Sequence, residues 1–293
     1  MNHTWALSVM RMKLAMRSLT FIFFSLAMPL GFLIAFEILF GRSGPGAVAY
    51  VLGAVLAITA MGSFWGMSMQ LVLFREQGIL RRFRLAPISP AAMLGSSVIS
   101  NFFLVIPTVI LEFLICRLIF HMRTWGNMWQ IILLVAIGAA TFSSLGLIVA
   151  SVANDMQETT VINNILWSVF LFLSGATIPL TIMPGWVQKI TVFLPSTYLA
   201  TGLEGGMLRW VGTREAIEDA LALLVCLVIS FEISRQLFRW EPEEKIRGKR
   251  KFWAAAALIP FLLLGAYEMT HGTRLQEFNR DFQMMSQRMP PSK

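Results

Sequence analysis

Histidine, cysteine and carboxylate side chains are the groups most able to act as bases, nucleophiles or metal ligands, and in this chain they are few and scattered. The histidines are His3, His121 and His271, and none falls in the middle of a long apolar run. An intramembrane serine protease needs a histidine at membrane depth beside its serine. An intramembrane zinc protease needs paired histidines with a nearby carboxylate. Neither can be assembled from these positions. Cys116 and Cys226 both sit within apolar runs, and such a pair gives neither a metal spacing nor a disulfide framework. They read as small buried apolar residues. No G-x-x-x-x-G-K-[ST] stretch occurs, so the chain has no phosphate-cradling loop of that kind.

The remaining ionisable residues inside apolar runs are Glu37, Glu112 and Glu232, with Arg117 about a turn and a half beyond Glu112. A charge at a helix centre in lipid costs about 2.5–3.5 kcal/mol on insertion scales, so Glu112 should face protein or water. It is either a polar point on a transport path or a structural contact within a helix bundle. Trp65 and Trp167, each in the middle of an apolar run, either line a path for a lipid or drug or pack in the core. No ladder of carboxylates crosses the apolar runs, which argues against a proton-coupled carrier.

The elements that must hold these residues are membrane helices. The 293 residues are 56% hydrophobic and 14% charged, with a mean hydropathy of +0.68, whereas a soluble domain is about one quarter charged. Spans are expected at about 21–40, 47–74, 91–120, 128–153, 160–178 and 220–238, each long enough for a bilayer core. Pro29 in the first is tolerable in a membrane helix. Gly62 and Gly66 in the second form a G-x-x-x-G pair that permits close helix approach or plain packing, and Ala136, Ala140 and Ser144 form a small-residue stripe in the fourth. Ala47-Val48-Ala49 looks like a cleavage site, but the apolar run before it is longer than the roughly 7–15 residues of a signal peptide, so it is expected to remain as the first span. Residues 4–19 are expected to form an interfacial helix, with Trp5, Val9, Met12, Met16 and Leu19 on one face and Arg11, Lys13 and Arg17 off it. Residues 241–293 form a charged linker, a candidate seventh span at 252–269 and a polar tail.

The net charge is +8, and its distribution between apolar runs fits membrane orientation rather than nucleic-acid binding. With the N-terminus in the cytoplasm, fourteen lysines and arginines flank the inner ends of the spans, against six on the outer side up to the sixth span. That bias favours a cytoplasmic N-terminus.

Two polar stretches stand out. The first is the inner loop 75–90. If it is helical, Ile79, Leu80 and Phe83 cluster on one side and the arginines spread over the rest. It is then a short helix lying against the membrane and presenting charge to a cytoplasmic partner; the alternative is an ordinary positive inner loop. The second runs from 172 to 198, where Pro184 and Pro195 bracket a short helix. Its Trp186, Ile190 and Phe193 share an apolar face while Gln188 and Thr191 point away, as in an outer helix half-sunk at the membrane surface.

Together these stretches resemble the ABC-2 type transporter permeases. The inner loop of that family reads R-E-x-G-x-L-x-x-x-x-x-x-P-x-S, matched by Arg75, Glu76, Gly78, Leu80, Pro87 and Ser89. The outer segment reads S-G-x-x-x-P, P-x-W and P-x-x-Y, matched by Ser174, Gly175, Pro179, Pro184, Trp186, Pro195 and Tyr198. The residue before the Arg-Glu pair is Phe74, where members often carry an acid. The resemblance covers residues 1–240 and implies an all-α, six-helix ABC-2 bundle with an N-terminal interfacial helix and short outer helices between spans five and six. The seventh span and tail are not part of the usual pattern.

The resemblance further implies a non-catalytic subunit of the cell inner membrane. It would pair with a second permease copy or homologue and with two copies of an ABC ATPase, which binds the ATP and Mg. No cofactor is expected on this chain itself, and no nucleic acid. The coupling element would comprise Arg75, Glu76, Gly78, Ile79, Leu80, Arg82, Phe83 and Pro87. The cargo would be a drug, lipid, glycan or peptide moved outward. The competing readings are a membrane-embedded sensor or assembly protein without transport, and an integral membrane enzyme.

Overall fold

The computed structural model describes residues 3–17, 19–40, 46–84, 88–122, 125–208, 213–240 and 259–271. Every regular element among them is helical: α1 (His3–Arg17), α2 (Leu19–Phe40), α3 (Ala47–Glu76), α4 (Ile79–Arg84), α5 (Pro90–Leu118), α6 (Met128–Val152), α7 (Met156–Leu173), α8 (Gly185–Thr191), α9 (Pro195–Leu208), α10 (Thr213–Leu237) and α11 (Ile259–His271). A 3₁₀ turn, Leu180–Ile182, precedes α8. Of these, α3, α5 and α6 are long and apolar enough to cross a membrane, and Ser25–Phe40 is a shorter apolar helix.

Local chemistry sets the helix starts. Ser89 accepts the Ala92 N–H at 3.2 Å, with Pro90 opening α5, and Asn127 accepts the Gln130 N–H at 3.4 Å to open α6. Asp155 accepts the Glu158 N–H at 2.7 Å. Each side chain satisfies a first-turn donor that the helix cannot. The Asp155 cap starts α7 at Met156, before the expected 160. At the other end α7 stops at Leu173 rather than 178, because Gly175 takes φ +95°, a conformation that a helix cannot continue through.

The centre of the bundle is α3 against α6. Most of the apolar length of both is buried inside the chain, whereas α5 presents Ile106, Ile110, Leu114 and Leu118 outward. Close approach of α3 and α6 is made at Gly146, where a Cβ would collide with the Phe64 carbonyl. Nothing lies within 4 Å of a Cβ placed on Gly62 or Gly66, so the G-x-x-x-G pair makes no close contact within the chain. Phe170 of α7 packs edge-on to Phe64 and Phe142, with ring centroids 5.4 and 5.3 Å apart. Against α10, the Thr141 hydroxyl donates to the Leu223 carbonyl at 3.0 Å, and Ser234 to the Ser144 carbonyl at 3.2 Å.

The N-terminal helix differs in detail from its expected amphipathic form. Trp5 and Met16 are exposed, as an apolar face toward lipid requires, but Leu7, Ser8 and Arg11 are buried against α5. Ser8 donates to the Ser96 carbonyl at 3.3 Å and its own carbonyl accepts from Ser100 at 3.1 Å. The Arg11 guanidinium donates to Ser97 and Met93 and lies 5.3 Å from the Phe74 ring centre. Burial pushes it down to about 10, so it remains a cation at neutral pH. The serine stripe of α5 makes a polar seat for it that the α1 pattern by itself does not reveal.

The described part of the candidate seventh span is α11, which packs on α10; residues 252–258, the linker 241–251 and the tail from 272 lie outside the described residues. Gly265 of α11 abuts the ring of Phe193 so closely that a Cβ there would overlap it.

Candidate functional site

The segment 75–90 begins where α3 ends. Gly78 takes φ +68° and its N–H donates to the Arg75 carbonyl at 3.0 Å, turning the chain into α4. A helix of six residues is too short to be stable by itself, and α4 is pinned by Leu80, which is fully buried among Met67, Leu71, Val72, Met93 and Leu94, with Phe83 packed against the same cluster. The resemblance puts Ile79, Leu80 and Phe83 in the coupling element. In the structure Leu80 turns inward and Ile79 is half-buried. The side chains left at the surface are Glu76, Gln77, Arg81 and Arg82. Pro87 lies outside the described residues.

Arg75 is also turned inward, at 2% exposure. Its Nη1 donates to the Ala150 carbonyl at 2.8 Å and its Nη2 to the Ala153 carbonyl at 2.7 Å, so it caps the C-terminus of α6, where a cation is favoured. Arg239, just past α10, donates to the same Ala153 carbonyl at 2.6 Å and to Asn154 Oδ1 at 3.3 Å. Glu76 Oε1 accepts the Met156 N–H at 2.8 Å, and Glu158 accepts the Asn154 N–H and side-chain amide, both at 2.9 Å. Residues 75 and 76 thus grip the two sides of the α6–α7 turn.

The second segment starts with Ser174, whose hydroxyl accepts the Ala176 N–H at 3.2 Å, and Gly175. Pro179 precedes the 3₁₀ turn and Pro184 opens α8. Trp186 and Ile190 are exposed at 68% and 45%, while Thr191 is buried and Gln188 donates to the Met183 carbonyl at 2.9 Å. The uncovered side of α8 therefore carries Trp186 and Ile190 beside the exposed Lys189, while Thr191 and Gln188 turn to the protein, an amphipathic arrangement suited to a lipid surface. Phe193 departs from that face and packs on Gly265.

Pro195 and Tyr198 are buried at the start of α9, an element that the sequence reading left inside a long connection. This helix is sunk into the bundle: a Cβ on Gly53 would lie 3.0 Å from the Glu204 backbone, and one on Gly202 would lie 2.8 Å from both Leu134 and Asp219. Gln130 donates to the Gly202 carbonyl at 3.0 Å, and Tyr50 hydrogen-bonds the buried Glu204. The signal that could have marked α9 is the small-residue run Gly202, Gly205, Gly206 around a lone Glu204.

The three candidate path residues are not brought together. Glu112 is fully buried and accepts from Thr59 of α3, while Arg117 turns away to donate to the Met122 carbonyl and lies 5.5 Å from the Trp125 ring centre. Trp167 is half-buried against the core. Trp65 is 41% exposed, one turn before Met69, which meets Thr160 of α7. Beside it α7 leaves Val161, Asn164, Ile165, Ser168 and Phe172 uncovered, so two polar side chains stand on the open face of an apolar helix.

Comparison with known proteins follows the same lines. A family model described as ABC-2 type transporter matches residues 2–208. YvfS of Bacillus subtilis (strain 168), which bears the name "Putative transport permease", is 23% identical over 248 residues, covering 82% of this chain and 98% of that protein. Linearmycin resistance permease protein LnrN of the same strain is 27% identical over 132 residues, 44% of this chain and 33% of that protein.

Proposed function

We propose, from the premise that this chain belongs to the ABC-2 type transporter family, that it is the permease subunit of an ATP-driven exporter, powered by a separate ATPase on the cytoplasmic side. The observation that carries this reading is the surface at the inner end of α3: Gln77, Arg81 and Arg82 project while Leu80 anchors them to the bundle. A charged patch on a rigid base is suited to docking a soluble subunit and to receiving its movement. The N-terminus and this patch lie in the cytoplasm, and the chain crosses the cell inner membrane as a six-span bundle with α8 and α9 on its outer side. The contact of Gly265 with Phe193 next to α8 supports a seventh crossing that brings α11 to the outer level.

A second permease copy or homologue covers the open face of α7. Asn164 and Ser168 are exposed there, the Ser168 hydroxyl donating to the Asn164 carbonyl at 2.7 Å, and a side-chain amide is costly against lipid, so Asn164 faces protein or a water-filled path. With Trp65 it would line the route of the cargo at the interface of the two permeases. The cargo is a drug, lipid, glycan or peptide, the first having a counterpart in the resistance named for LnrN.

The test is purification of the tagged chain from its own membranes. An ATP-binding subunit is expected to co-purify and to account for all ATP hydrolysis, none remaining after the chain is stripped of it. A chain that purifies without any such subunit is a sensor or assembly protein, and one that hydrolyses ATP by itself is an enzyme; either result refutes the reading.

A further inference from the structure

Glu76 is exposed, charged and next to the patch that would meet the ATPase, yet its carboxylate is already engaged within the chain. Its Oε1 accepts the N–H of Met156 at 2.8 Å, and Met156 is the first residue of α7. First-turn N–H groups of a helix have no partner in their own helix and favour a negative charge. Asp155 serves the N–H of Glu158 from within the turn; Glu76 serves Met156 from the end of α3, 80 residues away.

The two sides of the turn are held differently. On the α6 side, Arg75 and Arg239 both donate to the Ala153 carbonyl, and Arg75 also to Ala150. These bonds are buried, and the two at Ala153 are redundant. On the α7 side the exposed Glu76 bond ties the first N–H of the helix to α3, beside the bonds of Glu158 to Asn154 within the turn. Further along, α7 is held to α3 by the Ser68–Asn163 pair at 2.7–2.9 Å and by Phe170, while its other face is open.

We infer that movement of the α4 segment is carried into α7 through the Glu76–Met156 bond, with the Arg75–Arg239 clamp holding the end of α6 as the fixed point. Glu76 is a positioning residue in this scheme, acting through α7 and not by contact with cargo. The inference rests on the permease reading, and it assigns to Glu76 an internal role in place of a charge contact with the ATPase.

The test separates charge from hydrogen bonding. Ser168→Cys on the open face of α7 serves as a reporter, since the native Cys116 and Cys226 are buried. Its maleimide labelling rate is measured in membranes with the co-purifying ATPase, with and without ATP. Glu76→Gln keeps an acceptor oxygen and loses the charge; Glu76→Ala loses both. Met156→Pro deletes the donor, and proline at the first helical position after an extended residue is well tolerated; Asp155 is extended, at φ −145° and ψ 174°. Met156→Ala removes the side chain and keeps the N–H.

ATP is expected to alter the labelling rate in the parent, Glu76→Gln and Met156→Ala. In Glu76→Ala and Met156→Pro the ATPase should still co-purify and hydrolyse ATP, while the response of α7 falls about tenfold or more, the bias that one charge-assisted hydrogen bond supplies. A full response in either Glu76→Ala or Met156→Pro overturns the inference. So does loss of ATPase binding in Glu76→Gln, which would make the charge itself the contact, or an α7 in the parent that ATP does not move. Failure of any ATPase to co-purify with the parent overturns the permease reading beneath it.

Discussion

The paired arginines at the α6–α7 turn allow a prediction to be worked in numbers. The Ala150 carbonyl is in the last turn of α6, and the N–H that would normally reach it, that of Asn154, goes instead to Glu158. Arg75 supplies its side-chain donor, whereas the Ala153 carbonyl has donors from both Arg75 and Arg239. Arg75→Met therefore orphans one buried carbonyl outright and weakens a second, a loss of about 2–4 kcal/mol. Arg239→Met leaves Ala153 bonded to Arg75 and should cost about 1–2 kcal/mol. The Ala153 carbonyl is stripped only when both are gone. The two guanidiniums also repel one another, and either single change removes the whole of that repulsion. Both effects make the double mutant less stable than the sum of the singles, by about 1–2 kcal/mol. The assay is unfolding by SDS titration in mixed micelles for all four chains. Single losses that add to within about 0.5 kcal/mol would refute a shared carbonyl.

Other outcomes follow from the packing and the backbone. Gly146→Ala should cost about 1–3 kcal/mol because its Cβ meets the Phe64 backbone, whereas Gly62→Ala, with open space around it, should be neutral or stabilising in the same titration; equal tolerance would contradict the α3–α6 contact. At Gly78 the φ of +68° should make Gly78→Val more damaging to ATPase coupling than Gly78→Asn, since asparagine visits that conformation more readily; an inverse ranking would show that the turn is not what the glycine supplies. A reporter fused after Lys293 should be active only outside the cell, as expected if 252–269 crosses the membrane; activity in the cytoplasm would mean that this run lies on the membrane or folds back.

The all-helical class could be read from the sequence because apolar runs of span length leave few other structures in lipid, and α3, α5 and α6 carry that signal in the structure. The exposure of Trp186 and Ile190 on α8 was legible for a similar reason, since it depends on residues adjacent in the chain. What could not be read was long-range. Arg75 sits in a run of arginines that reads as surface charge, and it is buried because the α6 carbonyls it caps are 75 or more residues away. The burial of Leu80 could not be read either, because nothing in its neighbours announces the cluster beneath it. The close helix contact fell on Gly146 instead of the G-x-x-x-G pair, since a small residue permits approach only where a partner's backbone arrives. Arg117 stood at a plausible distance from Glu112, yet α5 ends at Leu118 and the guanidinium reaches past the end to Met122. The buried α9 was hidden by its small residues, which blur the helical period while enabling the packing.

The claim that the inner end of α3 meets a separate ATPase is tested most directly by site-specific photo-crosslinking in intact membranes. A photoreactive residue in place of the exposed Arg82 should capture an ATP-binding subunit, and the yield should change when ATP is added. The same residue in place of Lys189 on the outer helix α8 should capture none. Capture at Lys189 and not at Arg82, or at neither position, would contradict the account.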